Sequence, residues 1–144
     1  RAYPDLVKRI ADDGHALCNH SDDHDLHLKG KSKDHIDQNL KEASDAIEKA
    51  SGKRPTYFRA PGGNWSRQVV EIAKADGMVP LGWSVDPNDW KKPGAAAIRT
   101  VINRSTAGDI ILCHDGGGDR SETMAALRTA LPGLLSKHLA FVLP

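Results

Sequence analysis

Two histidines four residues apart, in His20-Ser21-Asp22-Asp23-His24, are spaced to share one divalent cation if the segment turns like a helix. Imidazole suits zinc and similar ions, and a third ligand with an open position would make such a site catalytic rather than structural. Three further clusters carry groups that hydrolysis uses. Arg59-Ala60-Pro61-Gly62-Gly63 combines a guanidinium able to hold a carboxylate with glycines that let backbone N–H groups approach a ligand. Asp86-Pro87-Asn88-Asp89-Trp90 offers two carboxylates, either of which could orient a histidine, and an indole able to wall a pocket. Leu112-Cys113-His114 sets an imidazole directly after an apolar run, a position suited to a general acid.

Each cluster also has a plainer reading. A His pair can arise by chance among seven histidines. Pro-Gly and Asp-Pro-Asn favour ordinary turns, and His114 could be a satisfied core residue. Asp12-Asp13-Gly14 resembles a carboxylate pair but follows a helix and precedes a strand, so it reads as a helix terminus. His15, His27, His35 and His138 fit loops or helix surfaces and receive no role.

What raises the four clusters above these readings is the element that each follows. Ala16-Leu17-Cys18, Tyr57-Phe58, Met78 to Trp83 and Ile110-Ile111-Leu112 read as short buried strands. In parallel α/β architectures the carboxyl ends of strands converge on one face, where functional side chains collect. Helix-period patterns fill the gaps between strands. Residues 4–13 carry Leu6, Val7 and Ile10 on one face with Gly14 as the stop, and a strand is expected at 15–19. Ser32 caps a helix reaching about Ala50, with Ile36, Leu40, Ala43 and Ile47 as its stripe. A strand follows at 56–58, and Ser66 caps a third helix closed by Asp76-Gly77. A strand at 78–84, a helix from Pro93-Gly94 to about Asn103, and a strand at 110–113 come next. After the Gly116-Gly117-Gly118 loop the expectation is a helix over 120–131, a short turn of helix beyond Pro132-Gly133, and a terminal strand at 140–143. This alternation predicts a parallel sheet, open or closed into a barrel.

The 144 residues allow one domain or a large piece of one, without internal repeats. A hydrophobic share of 39% supports a core, and a net charge of +1 excludes the basic field of a dedicated nucleic-acid or membrane-surface binder. Residues 1–50 carry eight Lys or Arg against eleven Asp or Glu, partly through Asp22, Asp23 and Asp25, where carboxylates would favour a cation. No apolar run approaches a membrane span. Cys18 should share a strand face with His20, whereas Cys113 should point away from His114 toward a covering helix. The two should therefore be free, mostly buried thiols.

At these residues the chain resembles the NodB-type polysaccharide deacetylases, carbohydrate esterase family four. The family's second to fifth motifs, His-Ser/Thr-x-x-His, Arg-x-Pro-x-Gly, Asp-x-x-Asp-Trp and Leu-x-His, match residues 20–24, 59–63, 86–90 and 112–114 in order. The resemblance implies a distorted (β/α) barrel with a single deacetylase domain over residues 1–144. The first motif, Thr-Phe-Asp-Asp-Gly, which supplies the catalytic base and a third metal ligand, does not occur here. The expectation is that it lies ahead of Arg1, so that the barrel is incomplete at the amino terminus and the isolated chain lacks the base. A cleaved protein would make that segment a separate partner chain.

By the same resemblance, His20 and His24 hold a divalent metal, zinc first, with cobalt or another ion as the alternative. The reaction is hydrolysis of an N-acetyl group, alternatively an O-acetyl group, on chitin, peptidoglycan or xylan. Gly62 donates a backbone N–H to the oxyanion, and His114 is the general acid, kept cationic by Asp89 in preference to Asp86. Arg59 orients the base. Trp90 and Leu112 line the acetyl pocket, and Trp65 stacks on a sugar ring or serves the core. The implied partner is an acetylated polysaccharide or oligosaccharide, and the implied location is secreted or cell envelope. A non-catalytic sugar- or metal-binding descendant of such an enzyme is the competing reading.

Overall fold

The computed structural model describes residues 2–144, which divide after Gly82 into two compact units. The first unit alternates helix and strand: α1 (Pro4–Asp12), β1 (Cys18–Asn19), α2 (Lys33–Ser51), β2 (Tyr57–Phe58), α3 (Arg67–Ala75) and β3 (Val79–Pro80). The strands form one parallel sheet in the order β1-β2-β3, with Cys18 opposite Tyr57 and Tyr57 opposite Val79. The parallel sheet and its crossover helices bear out the α/β reading.

Local chemistry accounts for the helix limits. The Ser32 Oγ accepts the His35 N–H at 3.3 Å and the Ser66 Oγ accepts the Val69 N–H at 3.2 Å, so each serine satisfies a donor that the first helical turn leaves over. Gly52 ends α2 in the left-handed conformation (φ 73°), where a side chain would be strained. The apolar stripes of α2 and α3 then meet over the sheet. Ile36, Leu40, Phe58, Val69, Ala73 and Met78 form a core in which each is at most 2% exposed. Each large aliphatic or aromatic side chain so buried contributes about 1.5–3 kcal/mol.

The strands are shorter than their apolar runs. Hydrogen bonds from the preceding helices take the first residues of two of them: the His15 N–H donates to Ile10 O and the Met78 N–H to Ala73 O. Pro80 has no N–H, so the β3 ladder rests on the bonds Val79 N–H to Thr56 O (2.8 Å) and Leu81 N–H to Phe58 O (2.8 Å).

The second unit contains α4 (Ala95–Ile102) and α5 (Ser121–Ser136). Its core joins Ile98 and Ile102 of α4 to Ala126, Ala130 and Leu134 of α5. Two sequence expectations fail here. α5 is one continuous helix that runs through Pro132, not a helix and a separate turn. Burial of Ala130 and Leu134 on either side of the proline holds the backbone helical despite the lost donor. Residues 140–143 are not a strand; Phe141, Val142 and Leu143 are 53%, 83% and 59% exposed in irregular backbone. The expected strand at 110–113 contracts to a single parallel bridge between Ile111 and Val85. The Ser84 side chain takes over part of that ladder, accepting the Ile110 N–H at 3.0 Å and donating to Asp109 Oδ1 at 2.7 Å. Among the described residues no helix is long and apolar enough to cross a membrane.

Candidate active site

In the first unit, β1 delivers His20 directly after its last residue, and the chain then folds back through two residues with positive φ, Ser21 (66°) and His24 (56°). Such values are uncommon outside glycine and need support from elsewhere. The Ser21 Oγ supplies some of it by accepting the His24 N–H at 2.8 Å. Asn19 Oδ1 accepts the Ser21 N–H at 2.9 Å, and Asn39 Oδ1 accepts the Asp22 N–H at 3.0 Å.

This backbone brings the His20 and His24 rings edge to face, with centroids 4.9 Å apart and planes at 70°. His20 Nδ1 lies 2.7 Å from Arg59 O. A carbonyl only accepts, so Nδ1 carries a proton, and in the neutral ring Nε2 is the atom left to meet a cation, the arrangement that a ligating histidine usually has. The donor chemistry therefore fits a divalent cation with two imidazole ligands. Among the described residues no group of three His, Cys, Asp or Glu is placed to hold one, so the pair stands as a two-ligand set.

Arg59 follows β2, and its guanidinium donates from Nε to Leu81 O at 3.1 Å and from Nη2 to Gly82 O at 3.0 Å. Pro61, Gly62 and Gly63 make a tight turn in which Gly62 has φ 60°. A Cβ there would stand 2.9 Å from Leu26 Cδ2 and 3.1 Å from Asn64 Nδ2, so both backbone and space call for glycine. The Gly62 N–H makes no hydrogen bond among the described residues, which leaves it able to donate to a ligand. Trp65 stands edge-on against Phe58 (centroids 5.8 Å, 87°) and packs on the core, so its ring has a structural task whether or not a sugar meets it.

In the second unit the choice between Asp86 and Asp89 is decided by geometry. Asp86 Oδ1 accepts the Asn88 N–H at 2.7 Å, an ordinary turn bond. Asp89, 1% exposed, accepts His114 Nδ1–H at 2.7 Å on Oδ1, and the His114 N–H (2.9 Å) and Thr123 Oγ1–H (2.9 Å) on Oδ2. Burial by itself would push the Asp89 carboxyl up, but the bonds from His114 and Thr123 outweigh it and hold it below the usual carboxylate range. His114 is thus fixed by Nδ1 with its Nε2 edge directed elsewhere, and its side chain is 34% exposed. Leu112 is buried and continues the bridge through its N–H to Val85 O at 2.9 Å. Trp90 is 51% exposed, with Lys91 Nζ 5.0 Å from its ring centre.

The cysteines are both free. Burial raises the Cys18 thiol, and burial together with the Asp89 and Asp86 charges pushes Cys113 up to about 11. Cys113 packs on the α4–α5 core, the orientation that its alternation with the adjacent His114 predicts.

Sequence reading missed three residues. Thr123 is the third donor to Asp89, and nothing in a helical Ser-Glu-Thr-Met run announces it. Asn39 was legible in principle, as a polar residue inside the buried stripe of Ile36, Leu40 and Ala43, whereas the residues alternating with Asn19 are only half-buried and give no such signal.

A profile of the family described as polysaccharide deacetylase matches residues 1–81. A chitooligosaccharide deacetylase from Azorhizobium caulinodans is 33% identical over 153 aligned positions, covering 97% of this chain and 72% of that protein. A peptidoglycan-N-acetylglucosamine deacetylase from Bacillus cereus is 38% identical, covering 96% of this chain and 66% of its relative. The solved structure of a family 4 acetyl xylan esterase from Clostridium thermocellum, in complex with a cobalt ion, has a TM-score of 0.89 at 28% identity, covering 99% of this chain and 68% of that one. The chain thus spans about two thirds of the length of these three proteins.

Proposed function

The chain belongs to the polysaccharide deacetylase family, and we propose that it removes acetyl groups from a polysaccharide or oligosaccharide by metal-assisted hydrolysis, residues 1–144 forming one deacetylase domain. The preferred substrate is an N-acetylated glycan such as chitooligosaccharide or peptidoglycan, the kinds named for the Azorhizobium and Bacillus relatives. O-acetyl xylan is the variant, after the Clostridium esterase. By the same reading the protein works at the cell envelope or is secreted, with the cell wall as the site if its substrate is peptidoglycan.

The observation that carries this reading is the imidazole pair, 4.9 Å apart, with His20 Nδ1 tied to Arg59 O. His20 and His24 would hold the divalent ion, zinc by preference, and a bound ion supplies Lewis acidity toward the acetyl carbonyl and toward water. The remaining steps fall to the chain. Water adds to the acetyl carbon, and the Gly62 N–H donates to the oxygen as it gains charge; one such donor is typically worth about 2.7–4 kcal/mol. His114 then gives a proton from Nε2 to the sugar nitrogen as the C–N bond breaks, releasing acetate and an amine. Asp89 keeps the ring oriented and stabilises its charge. Leu112 and Trp90 border the acetyl methyl, Trp65 stacks on a sugar ring, and Arg59 orients the base that takes the water's proton. That base, in the family resemblance, comes from the Thr-Phe-Asp-Asp-Gly motif, which is not in this sequence.

The test is acetate release from chitooligosaccharide, peptidoglycan fragments and acetylxylan by the protein with the base-bearing motif in place, loaded with zinc or cobalt. Release from one of them, abolished by a chelator and restored by the ion, is expected. Metal binding without release from any of the three would replace this reading by a non-catalytic binding domain.

A further inference from the structure

The histidine loop, with its two strained residues Ser21 and His24, is anchored to α2 at Asp22 and Asp23 directly and at Ser21 through Asn19. Asn19 is fully buried under that helix: its Nδ2 donates to Leu40 O at 2.7 Å and to Ser44 Oγ at 2.9 Å, while its Oδ1 takes the Ser21 N–H at 2.9 Å. Asn39, on the same helix and 7% exposed, grips the next two residues. Its Oδ1 accepts the Asp22 N–H at 3.0 Å and its Nδ2 donates to Asp23 Oδ1 at 3.0 Å. That carboxylate oxygen also accepts the Asp25 N–H at 3.2 Å, beyond His24. Asp22 and Asp23 are therefore bonded directly to α2, and Ser21 is bonded to it through Asn19, so the held stretch runs from Ser21 to Asp23 with His20 and His24 flanking it. Neither asparagine reaches an imidazole. Their polar groups go to the backbone that sets where each imidazole starts and to the Asp23 side chain between them.

We propose that Asn19 and Asn39 are positioning residues for the histidine pair, with α2 as the rigid platform that keeps the two rings at ion-sharing distance. The physical reason is preorganisation. A loop carrying two positive-φ residues of ordinary type relaxes toward other conformations unless its surroundings over-determine it. Three bonds from two buried or nearly buried amides to loop residues, with two more from Asn19 to α2, supply that determination. A pair of imidazoles that must first be ordered binds an ion more weakly by the fraction of time spent in the competent arrangement. This inference rests on the assignment of His20 and His24 as ligands, so its test has one arm with metal and one without.

The variants are Asn39→Ala, which removes both bonds, and Asn39→Asp, which keeps the shape but sets a carboxylate against Asp23 Oδ1. Ser51→Ala is the control, because Ser51 closes the far end of α2 through bonds to Ile47 O and Lys53 O and touches nothing in the loop. Cobalt titration followed by calorimetry and by visible absorption is expected to show about a tenfold loss of affinity in both Asn39 variants, at the low end for outer-shell changes. Ser51→Ala should bind as the wild type does, even if its Tm falls as far. Without metal, NMR should give a ring-to-ring NOE between His20 and His24 in the wild type that weakens or vanishes in the Asn39 variants. An unchanged cobalt affinity with the NOE retained would overturn the proposal. A wild type that binds no cobalt would instead overturn the ligand assignment, and the NOE arm would still decide what Asn39 does.

Discussion

The Asp89 carboxylate holds His114 at two points, the ring through Oδ1 at 2.7 Å and the backbone N–H through Oδ2 at 2.9 Å. One side chain therefore fixes the orientation of the imidazole and the end of the segment that carries it. Asp89→Asn retains the size but cannot accept at both positions, so the ring loses its fixed tautomer. Acetate release should fall by about 10²–10⁴-fold in kcat/KM. Thr123→Val, which removes a donor from the same Oδ2 without changing shape, should have a smaller effect in the same direction. Comparing kcat/KM with circular dichroism spectra of the variants separates loss of the acid from loss of the fold.

The same carboxylate makes stability sensitive to acid. Asp89 titrates below its ordinary value in the folded chain, so its contribution is complete above the unfolded pKa of about 3.9 and disappears as pH falls through the lower native value. The Tm difference between wild type and Asp89→Asn should narrow as pH falls below about 4. Thermal melts across that range check it, and a gap that stays constant down to pH 2 would contradict it.

Gly62→Ala should cost stability and activity together. The main penalty is the left-handed backbone at φ 60°, about 1–2 kcal/mol for a residue with a Cβ. The approach to Leu26 Cδ2 adds less, because that methyl ends a flexible side chain whose residue is 48% exposed. Denaturant unfolding should register the stability loss, and if the Gly62 N–H serves the oxyanion, kcat should drop while KM changes little.

Both thiols should be sluggish toward alkylating agents in the native protein. Cys113, pushed up to about 11, is almost entirely protonated at pH 7–8, and Cys18 is raised by burial as well. Iodoacetamide labelling followed by mass spectrometry should be slow in buffer and fast in denaturant. Rapid native labelling at Cys113 would place it in a more polar setting than the α4–α5 core.

The four clusters, the helices with their serine caps, and the parallel α/β class could be read from residue order alone. Caps, apolar stripes and strand-end placement are local, since a serine four residues before a stripe meets the same backbone donors wherever the chain goes. Tertiary structure decided the rest. Asp89 and not Asp86 serves His114 because that depends on which carboxylate the bridge between Val85 and Ile111 and the start of α5 bring within reach. Helix α5 passes through Pro132 because burial on both sides outweighs a lost donor, and residues 140–143 remain irregular because a strand exists only where a neighbour accepts its hydrogen bonds. The hold of Asn19 and Asn39 on the histidine loop belongs to this second class: a sequence shows that an amide is there, but only packing shows which groups it can bond.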